Sequence, residues 1–249
     1  MPGLSDRSRK NISDAGGPVR GRKVMTEKQA QRLREKEERA RVRREKERER
    51  TRSMMVYEER FRDRGLIGGI DEVGRGPLAG PVVTCCIILP EDREILYLND
   101  SKKLSARKRE ELYGVLLSEA VSLGIGMESH AVIDEINILQ ATYSAMRKAI
   151  GAADPKPDFL LNDAVTIPGV SIPQCPIVKG DAKSISIAAA SIVAKVTRDR
   201  LMEDYDRVYP GYGFAKNKGY GTAEHIAAIR RLGPCPIHRM SFLSGILSS

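Results

Sequence analysis

The chain lacks tryptophan and is poor in aromatic side chains, with only 8 tyrosines and 4 phenylalanines among its 249 residues. It has four cysteines, Cys85, Cys86, Cys175 and Cys235, and no pair of them has C-x-x-C spacing. This scarcity argues against a disulfide framework and against a zinc site, because Cys235 and His238 have no further ligands at a suitable spacing. Cys85 and Cys86 lie in an apolar run and are predicted to pack as small hydrophobic residues, in a reducing, cytoplasmic compartment.

Long hydrophobic runs are also missing, and so are the common nucleotide-binding loops. No apolar stretch reaches the roughly 20 residues that cross a bilayer, and the amino terminus lacks the apolar core of a secretory signal. The motif G-x-x-x-x-G-K-[ST] does not occur, and the glycines from Gly74 to Gly80 follow G-x-G-x-x-x-G rather than G-x-G-x-x-G. We therefore expect no membrane partner, no P-loop and no dinucleotide site.

The net charge of +9 comes from the amino-terminal quarter of the chain. Residues 1–66 contain 21 Lys and Arg against 12 Asp and Glu, whereas residues 67–249 contain 21 of each. We assign residues 1–65 to a basic extension, disordered over residues 1–22 and a solvated or fluctuating helix from Thr26 to Arg50. This arm either attracts nucleic acid or only keeps the chain soluble.

Residues 66–249 are predicted to form the catalytic domain, an α/β fold with a small helical part at its carboxyl end. The link between the first two strands is too short for a helical crossover, so these strands should pair antiparallel within a mixed sheet flanked by helices. The strands are expected at 66–73, 82–89, 125–132, 159–163 and 174–178, and the helices at 106–123, 134–150, 184–209 and 222–233, with caps at Ser105 and Thr222.

Two adjacent acids, Asp71 and Glu72, follow an apolar segment and precede a Gly74-Arg75-Gly76 turn. Neighbouring side chains of a strand point to opposite faces, so both acids can share a site only if the strand ends there. Bare backbone N–H groups and a guanidinium beside two carboxylates suit a metal ion and a phosphate together. The alternative is a surface strand and turn with a local Glu–Arg pair.

Two further acids, Asp163 and Asp181, also close strand-like segments. Strand ends of an open α/β sheet can converge at one edge, where ligands usually bind. Such a carboxylate cluster is tolerable when a divalent cation neutralises it, and all-oxygen ligands favour magnesium or manganese. Two such ions can stabilise the attacking and leaving oxygens of phosphodiester cleavage. The alternative is that both residues are ordinary loop or capping acids.

Basic and glycine-rich segments elsewhere are candidates for backbone contacts to a nucleic acid. The segments Ser101-Lys102-Lys103 and Lys179-Gly180-Asp181-Ala182-Lys183 could contact phosphates or could simply be solvated. The loop from Lys216 to Gly221 combines cations, glycines and Tyr220, whose ring could lie against a sugar or base. His130 and His225 are expected to be surface or helix residues without a catalytic role.

In this order, the segments resemble the type 2 ribonuclease H family, in its bacterial ribonuclease HII branch. The resemblance runs from about Leu66 to Phe242 and leaves out residues 1–65. The matching segments are Gly69–Gly80, Leu98–Ser105, Ile133–Leu139, Val178–Asp181, Ala188–Asp199, Lys218–Thr222 and His238–Phe242.

The resemblance implies a ribonuclease H-like fold and a metal-dependent endonuclease. Four residues would bind Mn²⁺ or Mg²⁺ and carry catalysis by a two-metal-ion mechanism: Asp71, Glu72, Asp163 and Asp181. Gly74, Arg75, Gly76 and Tyr220 would sense the 2′-hydroxyl, the group that distinguishes RNA from DNA. Ser101, Lys102, Lys179 and Arg239 would bind the substrate backbone. The segment Asn162-Asp163-Ala164 departs from the expected pattern of an apolar residue before the acid and a glycine after it.

The implied substrates are RNA–DNA hybrids and single ribonucleotides embedded in duplex DNA. The cut would fall on the 5′ side of the ribonucleotide and leave a 3′-hydroxyl and a 5′-phosphate, which suits the removal of misincorporated ribonucleotides. We expect a monomer. Two rivals stay open: a nucleic-acid- or ribosome-binding protein that works through its basic arm, and a DNA exonuclease with carboxylate-bound metals.

Overall fold

The computed structural model describes residues 26–91 and 94–247. The predicted disorder of residues 1–22 lies outside these residues. The chain divides into two units, residues 1–44 and residues 45–249. In the first unit, the described part is helical and exposed, as part of helix α1 (Glu27–Ser53). The rest of this section concerns the second unit.

A mixed sheet of five strands lies at the centre of the second unit, counted over its described residues. The strands are β1 (Ile67–Val73), β2 (Val82–Ile88), β3 (Ser122–Glu128), β4 (Phe159–Asp163) and β5 (Gln174–Ile177), in the order β3-β2-β1-β4-β5. β1 and β2, and β2 and β3, pair antiparallel, whereas β4 is parallel to both β1 and β5. The predicted α/β class, the mixed sheet and the antiparallel first pair are confirmed.

Helices cover both faces of this sheet. The helices are α2 (Val56–Arg60), α3 (Ala106–Glu119), α4 (His130–Ala152), α5 (Ile185–Val208), α6 (Phe214–Asn217), α7 (Ala223–Leu232) and α8 (Ser244–Leu247). Cys85 packs in a cluster with α3 and α5, and Cys86 packs on the other face with α4. Successive residues of β2 therefore serve opposite layers of the core, and both cysteines pack as small hydrophobic residues as predicted.

The beginning of α5 lies directly on β1, close to the acids. A Cβ on Gly69 would stand 2.2 Å from the carbonyl carbon of Ser186, so only glycine permits this approach. Ser184 caps α5 through its side chain, and Glu58 accepts hydrogen bonds from Ser184 Oγ at 2.5 Å and from Ser186 N at 2.9 Å. The first turn of α5 is thereby held beside β1.

The structure differs from the sequence expectation at the start of the domain. Residues 45–65 belong to the second unit, whereas the sequence placed the domain boundary at residue 66. Met54 is buried in the core formed with α3 and α5, and the Phe61 ring stacks on Phe159 with centroids 4.4 Å apart. The few apolar residues of this segment stand among many charged residues, so the composition of the segment does not predict that they are buried.

The bounds of three elements also differ from the prediction. β3 begins at Ser122 rather than residue 125, and α3 ends at Glu119. α4 begins at His130 and is interrupted at Asn137, whose φ of 65° is left-handed and whose Oδ1 accepts from the N–H groups of Leu139 and Gln140. Asn137 therefore restarts the helix as a cap. No helix in the described residues has the length and apolarity that a bilayer crossing requires.

Candidate active site

The acids stand where the parallel ladder between β1 and β4 ends. This ladder runs from Ile67 opposite Phe159 to Ile70 opposite Asn162. The next residues of the two strands are Asp71 and Asp163. β1 continues to Val73 in its pairing with β2, as the predicted strand 66–73 requires. The end of pairing with β4 alone creates the space, at the carboxyl edge where ligands bind in such sheets.

Asp71 is the most enclosed of these acids, with 6% of its surface exposed. Its Oδ1 accepts from the Glu72 N–H at 2.8 Å, and the Ser191 hydroxyl of α5 donates to its carboxylate. Ser191 Oγ lies 2.9 Å from Ser101 Oγ, so the buried Ser101 supports Asp71 through Ser191. Burial, followed by the neighbouring charge of Glu72, raises the pKa of Asp71 well above its usual value despite these hydrogen bonds.

Glu72 combines a partial ion pair with an unpartnered oxygen. Its Oε1 lies 3.4 Å from Arg75 Nη1. Its Oε2 is buried and has no hydrogen-bond partner. Burial raises the pKa of Glu72, against the opposing effect of the Arg75 charge and together with the repulsion from Asp163. A buried carboxylate oxygen without a partner is costly for a protein and is an acceptor suited to a cation.

Asp163, the last residue of β4, is hydrogen-bonded to the tight turn after β5 that carries Asp181. Asp163 Oδ1 accepts from the Gly180 N–H at 2.7 Å, which fixes the residue before Asp181. Burial raises the pKa of Asp181, and the charges of Asp100 and Asp163 add to this, while Lys102 opposes it. Asp100 is thus a fifth acid of the site. Its side chain caps the turn Ser101–Lys103, and the sequence motif gave no signal that it faces Asp181.

The acids of this site repel one another, and their side chains are not arranged to bind a metal ion without moving. In residues 26–91 and 94–247, no three His, Cys, Asp or Glu side chains are placed to ligate one ion as they stand. The donor set is nevertheless all oxygen, and Glu72 Oε2 lacks a partner. The residues therefore fit a hard divalent cation, which would compensate the burial and the mutual repulsion that raise the pKa values of Asp71, Glu72 and Asp181.

The Gly74-Arg75-Gly76 turn is held from behind by Arg239, which is fully buried. Its guanidinium donates to the carbonyl oxygens of Gly74 at 2.5 Å, Arg75 at 2.8 Å and Gly80 at 2.9 Å. A trans peptide sets its N–H opposite its carbonyl, so the N–H groups of Arg75 and Gly76 face away from Arg239. Arg239 therefore orients the turn, with four of its N–H groups directed at carbonyl oxygens, and its contact with a phosphate stays a prediction.

A second buried arginine, Arg198 of α5, supports the same loop and connects it to Tyr220. Arg198 donates to the carbonyls of Pro81 at 2.9 Å, Ala79 at 3.0 Å and Lys218 at 2.8 Å. A Cβ on Gly74, whose φ is 94°, would collide with Arg198 Nε at 2.3 Å. The glycine is therefore required both for the backbone conformation and for the contact.

Tyr220 lies beside the Gly-Arg-Gly turn, as the sequence predicted only by resemblance. A Cβ on Gly76 would stand 3.9 Å from Tyr220 Cε1, so the ring faces that glycine at ordinary contact distance. The ring is 41% exposed and accessible to a ligand. The turn is anchored because Leu78 N donates to Gly219 O at 2.8 Å.

The remaining candidates fall into two groups. Lys102 and Lys179 are exposed near Asp181, with side chains that can reach a ligand. His225 was expected to be a surface or helix residue. It begins α7 but is fully buried, which residue spacing did not indicate. Arg198, Ser191 and Asp100 were missed because a sequence does not reveal which polar residues of a helix or turn face a distant site.

Comparison with known proteins agrees with this arrangement. The family model described as Ribonuclease HII matches residues 68–244. A ribonuclease HII from Lachnoclostridium phytofermentans is 67% identical over 192 residues, covering 77% of this chain and 76% of the relative. A ribonuclease HII from Clostridioides difficile is 58% identical over 197 residues, covering 78% of this chain and 77% of the relative.

Solved structures show the same fold. The crystal structure of ribonuclease H2 from Pyrococcus horikoshii OT3 aligns with a TM-score of 0.61 and 27% identity, over 73% of this chain and 97% of that one. The matched region contains the acids, the Gly-Arg-Gly turn, Arg239 and Tyr220. The fold, the family model and the high identity to curated relatives lead to one conclusion: the chain belongs to the ribonuclease HII family and is a ribonuclease H enzyme.

Proposed function

We propose that this enzyme hydrolyses the RNA strand of RNA–DNA hybrids and also cuts on the 5′ side of a single ribonucleotide in duplex DNA. The products would carry a 3′-hydroxyl and a 5′-phosphate, and the reaction would serve the removal of misincorporated ribonucleotides. The proposal rests on one arrangement: the acids at the β1–β4 edge lie next to the Gly74-Arg75-Gly76 turn, and the Tyr220 ring lies against Gly76 of that turn.

Asp71, Glu72, Asp163 and Asp181 would hold divalent cations, Mg²⁺ or Mn²⁺. Bound there, such ions would activate water and stabilise the leaving 3′ oxygen of a phosphodiester. The Ser191 hydroxyl and the Glu72 N–H hold the Asp71 carboxylate in place, and the Gly180 N–H does the same for Asp163. Binding would also require small side-chain rotations that bring the carboxylates to common ligand distance.

Recognition of the ribose would rest on the Gly74-Arg75-Gly76 turn and Tyr220. The 2′-hydroxyl both donates and accepts hydrogen bonds, so a fixed backbone turn can bind it specifically. The Arg75 and Gly76 N–H groups face away from Arg239, toward the side on which a substrate could lie. The Tyr220 ring would pack against the sugar beside Gly76. The exposed Lys102 and Lys179 would contact flanking phosphates.

The direct test is a cleavage assay on three matched duplexes: a hybrid, a DNA duplex with one ribonucleotide, and an all-DNA duplex. We expect cleavage of the first two with Mg²⁺ or Mn²⁺, no cleavage with chelator, and a mapped cut on the 5′ side of the ribonucleotide. Cleavage of the all-DNA duplex at a comparable rate would favour a general DNA nuclease instead. A folded Asp71→Asn variant should be inactive, since it loses a shared ligand.

Tyr220 provides a finer test of ribose recognition. We expect Tyr220→Ala to lower kcat/KM most on the single-ribonucleotide duplex, where one sugar supplies all of the discrimination. Tyr220→Phe keeps the ring and removes only the hydroxyl, so it separates stacking from hydrogen bonding. Equal losses of Tyr220→Ala on the hybrid and on the single-ribonucleotide duplex would contradict the assigned role.

A further inference from the structure

Two histidines from different segments meet in the core of the carboxyl-terminal part. His225 of α7 and His238 are 0% and 2% exposed, and their Nε2 atoms lie 3.1 Å apart. The rings of Tyr212 and Phe214 enclose them, with the Phe214 ring edge-on to His225 at a centroid distance of 5.3 Å. No carboxylate appears among the hydrogen-bond partners of this pair, so nothing there compensates a buried positive charge.

The hydrogen-bond partners fix the tautomers of both rings. His225 Nδ1 lies 2.9 Å from the Tyr220 carbonyl, which can only accept, so Nδ1 carries a proton. In a neutral His225 the Nε2 atom is then the acceptor, so the proton of His238 stands on Nε2 and is donated to His225 Nε2. His238 Nδ1 faces the Cys235 backbone, 2.9 Å from its N–H and 3.2 Å from its carbonyl oxygen. In this tautomer His238 Nδ1 accepts from the Cys235 N–H.

The result is a one-directional chain of hydrogen bonds from Cys235 N–H through both imidazoles to the Tyr220 carbonyl. That carbonyl also accepts from Thr222 N at 2.8 Å, so two donors fix the peptide that follows Tyr220. His238 itself is bridged to Ala79, and Ile237 O accepts from Gly80 N at 2.9 Å. The same histidine thus connects the loop after the Gly-Arg-Gly turn to the backbone of Tyr220.

We infer that His225 and His238 are positioning residues, a neutral imidazole relay that holds Tyr220 at its place beside Gly76. This inference rests on the proposed role of Tyr220 in ribose recognition. Neither histidine touches the acids through any described hydrogen bond, and the His225 ring reaches the proposed ribose-recognition residues through the Tyr220 carbonyl. Burial lowers the pKa of His225, and it lowers the pKa of His238 to about 4, which agrees with both rings being neutral.

The test is a double-mutant cycle on the single-ribonucleotide duplex, using the full chain. We expect His225→Ala to lower kcat/KM by about 10- to 100-fold, because misplacement by about an ångström can cost about 100-fold. In the Tyr220→Ala background, the same change should cost less than about threefold, since its target is already removed. Cleavage of the long hybrid should fall less than cleavage of the single-ribonucleotide duplex.

A conservative variant and a matched control separate positioning from general instability. His225→Asn places an amide N–H near the position of Nδ1 and should recover most of the activity lost in His225→Ala. Tyr212→Phe removes the hydrogen bond from Tyr212 Oη to Gly233 O in the same cluster and leaves the relay intact, so its activity should stay near wild type. Thermal melts of all variants identify those that fail to fold, and His225→Asn serves as the second variant if His225→Ala is one of them.

The outcomes distinguish failure of this inference from failure of the proposed function. If the wild-type enzyme does not prefer ribonucleotide-containing duplexes, or if Tyr220→Ala matches wild type, the proposed function fails first. If both behave as expected but His225→Ala costs the same factor with and without Tyr220, the relay does not act through the tyrosine and the inference is overturned. Failure of a folded His225→Asn to recover activity would also overturn it.

Discussion

Replacing Asp71 by asparagine is expected to stabilise the metal-free protein while it abolishes cleavage. Asp71 is buried beside Glu72 and Asp163, and its raised pKa shows that the folded structure disfavours its charge. Two unit charges about 6 Å apart at an effective dielectric of about 20 repel by about 3 kcal/mol. Asparagine keeps an oxygen that can accept from Glu72 N–H and Ser191, and it adds a donor toward the remaining acids.

In the presence of chelator, the variant is expected to gain about 1–3 kcal/mol in the free energy of unfolding. The gain can be smaller than the full repulsion of about 3 kcal/mol because partial protonation of the wild-type acids already relieves part of it. Urea unfolding followed by circular dichroism measures it. Adding Mn²⁺ should reverse the order, since a ligand at 100 times its Kd stabilises the wild type by about 2.7 kcal/mol and the variant by less.

Asp204→Asn is the matched control for this measurement. Asp204 lies on α5 and pairs only with Arg207 at an exposed position, so its loss should change stability by less than about 0.5 kcal/mol. An Asp71→Asn protein that is no more stable than wild type in chelator would refute the reasoning, because the acids would then not repel one another. Mn²⁺ stabilisation of equal size in both proteins would refute it as well.

Three further outcomes are expected. Arg239→Lys should lower the free energy of unfolding by about 2–4 kcal/mol, because lysine cannot reach the carbonyls of Gly74, Arg75 and Gly80 together. It should lower activity equally at low and high salt, and a loss of activity that depends on salt would instead indicate a phosphate contact. Acid should destabilise the protein through His238, because its folded pKa of about 4 lies below the unfolded value of about 6.5. The free energy of unfolding should be unaffected by this group above pH 6.5 and should fall by about 1.4 kcal/mol per pH unit from there toward pH 4. His238→Gln should flatten this slope, and an unchanged slope in the variant would contradict the assignment. Residues 1–44 contain 14 Lys and Arg against 6 Asp and Glu. Removing them should leave kcat unchanged and weaken binding of the hybrid at low salt, and this difference in binding should vanish at high salt. Loss of cleavage itself would show that the arm is needed for catalysis.

The sequence was sufficient for the parts of the molecule that depend on local pattern. The strand before Asp71, the caps at Ser105 and Thr222, and the antiparallel first pair all follow from spacing and loop length. The grouping of Asp71 with Asp163 required only that strand ends share a sheet edge. These features are local because periodicity and turn chemistry act over a few residues.

Long-range burial could not be predicted in this way. Arg239 was expected to contact a phosphate, and nothing in the sequence indicated that it is buried against the inward-turned carbonyls of the loop from Gly74 to Gly80. His225 was expected to be a surface or helix residue, and no sequence pattern indicated that it is buried on α7 against His238, 13 residues further along the chain. In both cases the partner is a backbone carbonyl or a distant side chain, and neither leaves a periodic signal in the sequence.

The central claim is that the carboxylates at the β1–β4 edge bind divalent cations beside the ribose-recognition turn. Anomalous diffraction from wild-type crystals soaked in Mn²⁺ tests it most directly. We expect a manganese peak ligated by Asp71 together with at least one of Glu72, Asp163 and Asp181, and no such peak in Asp71→Asn crystals. Manganese bound only away from these side chains, or an unchanged peak in the variant, would show that these carboxylates are not the metal site.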